Sequence, residues 1–241
     1  MNLREIAMKT ISLGKAIIGG LATIALYAAA VAQSDQLVTH VAALKQNMAR
    51  SQQQLKQYQW TETTVVYHDG EEKSRKQYLA RYGPDGAVQK TLVSASPEKK
   101  ERGLRKEIIE RKEKEIKEYM ERAADVMKLY VPPDHDRLQL VKDAGNASLN
   151  LIDPGERVRV VFRNYQLPGD MLAIDMNPVT KRILGATVET YLEKPEDSVG
   201  MTIQFGNLPD GTTYPATVNL NAREKHVTIQ KTNSNYQKIT S

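Results

Sequence analysis

The four histidines, His40, His68, His135 and His226, are the natural general acid–base and metal-ligating candidates, and they lie far apart along the chain. Only Asp134-His135-Asp136 sets ligand-type residues side by side. That triplet follows Pro132-Pro133 at a helix start. Asp134 therefore reads as an N-cap, and Asp136 as a first-turn acid favoured by the helix dipole. The chain has no HExxH pair, no GxSxG elbow and no phosphate-cradling glycine loop. Asn146-Ala147-Ser148 matches a glycosylation acceptor, which has no meaning in the bacterial host that the leader suggests. There is no cysteine, which excludes disulfides, thiolate chemistry and lipid attachment at a cysteine. Neither an enzyme nor a bound metal or cofactor is expected.

Tyrosine is the abundant side chain with a polar tip: 11 residues, against two phenylalanines and one tryptophan. Tyr58, Tyr67, Tyr78, Tyr82, Tyr165, Tyr191, Tyr214 and Tyr236 all fall in strand-like stretches. An apolar body with a polar tip suits the mouth of a cavity, and it suits cross-strand pairing over a small core equally. The net charge of +5 falls to +3 without residues 1–32, which hold three basic residues and one acidic one. Charges of both signs are interspersed, so no nucleic-acid patch is expected.

The leader fixes the expected location. Arg4, Lys9 and Lys15 precede "AIIGGLATIALYAAAVA" (16–32), which ends in an Ala30-Val31-Ala32 cleavage site. This is the layout of a secretory signal peptide, with the mature chain starting at Gln33. Export is expected, to the periplasm in a Gram-negative-type bacterium. Retention of the run as an inner-membrane anchor is the alternative, since about 17 apolar residues can span a bilayer.

Residues 33–241 read as a single domain. Leu37, Val41, Leu44, Met48 and Leu55 predict an amphipathic helix over 35–57. The period then changes to two, with turns at Asp69-Gly70 and Pro84-Asp85-Gly86, giving strands over 58–95. A charged helical insertion comes next, over 97–131, bounded by Pro97 and Pro132-Pro133. Its apolar seam runs through Leu104, Ile108, Ile116, Met120, Ala123, Met127 and Tyr130. That stripe can pack on a sheet or dock a partner. Strands separated by turn signals then occupy 146–240, about ten strands in all.

The order of elements is distinctive. "DMLAIDMNPVTKRILGATVETYL" sets an Asn-Pro-x-Thr turn between strands, and "VGMTIQFGNLPDGTTYPATVNLNAREKHVTIQKTNSNYQKI" ends in strands around Asn-Tyr. In this the chain resembles the periplasmic lipoprotein-carrier superfamily (LolA/LolB-like, outer-membrane lipoprotein-sorting proteins). The resemblance implies an α+β fold: a strongly curved antiparallel sheet, an incomplete β-barrel, with helices packed on its concave face. It also implies an apolar cavity that holds acyl chains, and hence a lipid or lipidated protein as ligand.

Strand phase supplies the cavity candidates. Trp60, Tyr78, Val158, Val160, Phe162, Met201, Ile203, Phe205 and Val218 are expected on the concave side, with Arg157, Arg159 and Arg163 turned to solvent. Tyr214, Ala216, Val218 and Leu220 are expected to extend the wall begun by Val199, Met201, Ile203 and Phe205. The expected function is an exported, noncatalytic, monomeric binding protein. The alternative is an envelope interaction or structural module with a filled core, docking a protein partner through the charged helix.

Overall fold

The computed structural model describes residues 46–96 and 104–239, with the backbone alone for 104–110 and 113. The expected signal peptide, and the first part of the expected N-terminal helix, lie outside the described residues. Helix α1 covers 46–55. Strands β1 (Tyr58–His68), β2 (Glu71–Tyr82) and β3 (Val88–Ala95) form a meander after it. Helices α2 (Leu104–Met127) and α3 (His135–Asp143) come next. The chain then returns to strands: β4 (Ala147–Asp153), β5 (Arg157–Arg163), β6 (Met171–Met176), β7 (Ile183–Tyr191), β8 (Ser198–Asn207), β9 (Thr213–Ala222) and β10 (Val227–Lys238).

All ten strands form one antiparallel sheet in the order β3-β2-β1-β10-β9-β8-β7-β6-β5-β4. The two meanders are joined by the pairing of β1 with β10, in which Val66 faces Ile229 and Glu62 faces Asn233. The sheet is open, with β3 and β4 as its edges, and it is not strongly curled. The expected strong curvature is thus corrected. Hairpin signals specify which strands are neighbours, but the bend of a sheet depends on bulges and packing that alternation does not encode.

Local chemistry accounts for the turns. Asp69 and Gly70 both take positive φ (54° and 77°), the two left-handed positions that a two-residue hairpin turn needs. Asp134 caps α3 by accepting a hydrogen bond from the Arg137 backbone N–H at 2.8 Å. The stretches "HVTIQKT" and "NYQKI" belong to one strand, β10, with a register irregularity against β1 near Asn235, whose φ is 53°.

One face of the sheet is the core. Cross-strand pairs carry two apolar rows through it: Phe162–Leu172–Val188–Met201–Leu220–Ile229, and Val160–Ile174–Ala186–Ile203–Val218. Helix α3 packs on β5 and α2 on β9. The expected seam is docked in its second half: Met120, Ala123, Met127 and Tyr130 are buried and Ile116 is half-buried, while the described side chains from Arg111 to Glu115 are exposed. Arg157, Arg159 and Arg163 lie on the opposite face, where Arg159 forks onto Asp175 at 2.6 and 2.8 Å.

The turn after α2 is fixed by a buried polar cluster. Tyr130 donates its hydroxyl hydrogen to Asp170 and lies 2.8 Å from the Thr190 hydroxyl on the core face of β7. Asp170, itself buried, also accepts hydrogen bonds from the backbone N–H groups of Tyr165, Gln166 and Leu167. A buried carboxylate is tolerated here because four donors converge on it. Asp170→Ala, which orphans those donors, is expected to cost about 3 kcal/mol in urea unfolding, and Tyr130→Phe about 1 kcal/mol.

Candidate functional site

The second apolar row ends abruptly at Lys231, the cross-strand partner of Val218 on β10. From there toward β3 the same face turns aromatic and charged. It lines a half-open pocket of about 200 Å³. Helix α1 contributes Leu55, β1 Trp60 and Glu62, β2 Tyr82, and β3 Val88 and Lys90. Pro215 comes from β9, and Lys231, Asn233 and Tyr236 come from β10.

Trp60 forms the floor and is 6% exposed. Its ring stacks on Tyr236 (5.5 Å between centroids, 15° between planes) and meets Tyr82 at 5.6 Å. Its indole N–H donates to Asn233 Oδ1 at 3.1 Å, and Asn233 Nδ2 donates to the Pro215 carbonyl at 2.8 Å. Tyr214 packs on Tyr236 at 4.4 Å. Its ring also lies over Gly206, where a Cβ would come within 2.9 Å of the ring tip, so a larger residue there would push the ring aside. Burial raises the Tyr82 and Tyr236 hydroxyl pKa values, with the neighbouring Tyr214, Tyr82 and Glu62 adding to the effect at Tyr236.

Charge enters on the same face through strand phase: Glu62 sits two residues after Trp60, and its side chain is 6% exposed. Lys90 Nζ donates to Glu62 Oε1 at 2.7 Å, and Thr64 donates to the same oxygen at 3.3 Å. Lys231 Nζ stands farther off, at 3.9 Å, with 39% of its side chain exposed. Burial lowers the Lys231 pKa; Glu62 opposes this and Lys90 reinforces it. The pocket therefore holds one carboxylate against two ammonium groups. Lys90 makes the close contact with the buried carboxylate, although a third of its own side chain is exposed, whereas Lys231 has its charge only loosely matched.

Of the nine residues expected at a cavity, Trp60 alone lines this pocket. Tyr78 is half-buried just outside it, with Lys90 Nζ 6.0 Å above its ring. Val158, Val160, Phe162 and Ile203 are buried in the core, and Met201, Phe205 and Val218 are half-buried on the core side. The expected wall is interrupted. A register shift between Gln204 and Phe205 pairs Phe205 with Pro215 and Tyr214 with Gly206, so Tyr214 and Ala216 leave the phase of Val218 and Leu220. Sequence reasoning missed Glu62, Lys90 and Lys231. The parity of Glu62 with Trp60 was the available signal for one of them.

Two features tie the rim. Ser51 Oγ accepts a hydrogen bond from the Thr213 N–H at 3.0 Å, holding α1 beside the β8–β9 turn. Tyr58 donates to Asp210 at 2.6 Å, which joins that turn to the start of β1. The carboxylate stabilised by Tyr58, and next by Thr212, has its pKa lowered to about 2, while Tyr58 is raised to about 12 by the same hydrogen bond first and burial second. No group of three or more metal-ligating side chains converges among the described residues.

No protein-family model matches the chain, and no curated protein matches it in sequence. Its structure matches LolA superfamily protein NE2245 from Nitrosomonas europaea at 9% identity and a TM-score of 0.34, covering 82% of this chain and 94% of that one. It also matches a DUF1329 family protein from Desulfovibrio piger at 8% identity and a TM-score of 0.32, with 82% and 94% covered.

The Tyr58–Asp210 tie predicts a pH signature. A lowered carboxylate pKa stabilises the fold above its ordinary value of 3.8, and that contribution is lost as pH falls toward about 2. A raised tyrosine pKa stabilises below its ordinary 10.0, and is lost as pH rises toward about 12. The stability advantage of wild type over Tyr58→Phe, measured by urea unfolding, should therefore be flat between about pH 4 and 10 and shrink on both sides.

Proposed function

We propose that the protein is a noncatalytic binding protein, exported and acting as one domain over 33–241, that holds an apolar ligand at the β10-β1-β2-β3 end of its sheet. The observation that carries this reading is the pocket over Trp60. It sets an aromatic floor beside Leu55 of α1, on a face where α2 packs on β9 and α3 on β5. Its volume of about 200 Å³ exceeds the roughly 150 Å³ that accepts benzene, and falls below the 300–1,000 Å³ that encloses a drug-sized ligand. The ligand group that enters is thus a single ring or the end of an acyl chain, which suits a lipid or a lipidated protein.

Eight buried carbons contribute about 6 kcal/mol gross, before the cost of immobilising the ligand. Binding without any reaction is enough for such a carrier. Trp60 is the single tryptophan of the chain and lies in the pocket floor, so it reports on occupancy. Titrating the full chain with 1-octanol should change the Trp60 emission saturably, with a dissociation constant of roughly 0.1–1 mM. An unchanged emission in the folded protein, with no heat of binding by calorimetry, would favour the envelope interaction module instead.

A further inference from the structure

The charge pattern of the pocket says more than its apolar floor does. Glu62 is held by Lys90 at 2.7 Å and by Thr64 at 3.3 Å, and Lys231 stays 3.9 Å away on the pocket wall. A solvated lysine would serve on the outer face, which is polar along all of β10. Lys231 instead occupies the core-face position next to Val218, where the apolar row ends and its charge loses part of its hydration. Among the described residues, the hydroxyls of Tyr82 and Tyr236 have no hydrogen-bond partner, and both residues line the same pocket. The pocket lining thus carries one unneutralised positive charge and two hydroxyl groups without a hydrogen-bond partner among the described residues.

We propose that this pocket selects small amphipathic monocarboxylates, the ligand's ring or short alkyl chain lying over Trp60 and Tyr236 and its carboxylate meeting Lys231 Nζ. This rests on the proposed binding function and adds the chemical class of the ligand's head group. A cationic head would meet two lysines with only a paired carboxylate to offset them. A dianion such as a phosphate monoester would be matched by one spare charge and no arginine fork. A monocarboxylate leaves the pocket neutral, and its oxygens can accept from the lysine and the tyrosine hydroxyls. Direct neutralisation in a partly dehydrated site strengthens such a contact over its value in water.

The test compares octanoate with 1-octanol, which share a chain and differ in the head, by Trp60 fluorescence and calorimetry on the full chain at pH 7. Octanoate is expected to bind about tenfold more tightly than octanol. Lys231→Gln should weaken octanoate about tenfold and leave octanol unchanged. Glu62→Gln should tighten octanoate, because it removes the one negative charge; a merely structural role for Glu62 predicts loss of both ligands. Melting curves confirm that each variant is folded, and Lys231→Arg, which keeps the charge, should retain octanoate binding if Lys231→Gln proves unstable. Equal affinities for octanoate and octanol, or an octanoate affinity indifferent to both substitutions, overturn the carboxylate assignment while the binding reading stands. Failure of both ligands to bind overturns the two together.

Discussion

Most of this structure depends on the pairing of β1 with β10. That pairing joins the first three strands to the last seven, and so places β3 and β4 at opposite edges of the sheet. Those two strands are neighbours along the chain, separated only by the helical segment. Nine interstrand steps at about 4.8 Å make roughly 43 Å of sheet to cross. A helix such as α2, with 24 residues, spans about 36 Å. The long charged helix is thus explained by the sheet topology: it belongs to the connection that returns the chain from one edge to the other.

That connection covers the sheet unevenly. The second half of α2 meets β9 and α3 meets β5 through Leu138 and Val141, and the core face there is filled with Val, Ile, Leu, Met and Phe. The polar cluster of Tyr130, Asp170 and Thr190 fixes where this cover sits. Toward β3 the helical cover gives way to Leu55 of α1, and edge strand β3 is exposed along its length. Tyrosines, lysines and a glutamate occupy the core face in that region. They can do so because the Lys90 and Lys231 side chains stay 33% and 39% exposed, whereas under α2 an unpaired charge would be costly.

Much of this was legible in the sequence. The two-residue phase of "RVRVVFR" separated Val158, Val160 and Phe162 from Arg157, Arg159 and Arg163, and the structure puts them on opposite faces. Asp69-Gly70 and Asp134 gave away a hairpin and a cap through their own chemistry. The pocket was harder to foresee. Glu62 and Lys231 meet through a pairing of strands some 170 residues apart, and alternation says nothing about which distant strand lies beside which. Bulges hid the rest: the shift at Gln204/Phe205 moved Tyr214 out of the phase of Val218, and the irregularity between Gln59 and Thr61 sits where Trp60 meets Tyr236. Single-strand reasoning put Trp60 on the face where the pocket opens, but did not foresee the charges beside it.

The space above Trp60 is proposed as a ligand site rather than a gap at the end of a structural core. The lone tryptophan gives one indole N–H signal in a proton–nitrogen correlation spectrum, and that proton is engaged with Asn233 inside the pocket wall. On addition of octanoate to the full chain, this signal is predicted to shift progressively and saturate, alongside backbone signals of β1 and β10. An indole signal that stays fixed while the fold remains intact, with any shifts confined to α2, would contradict the account.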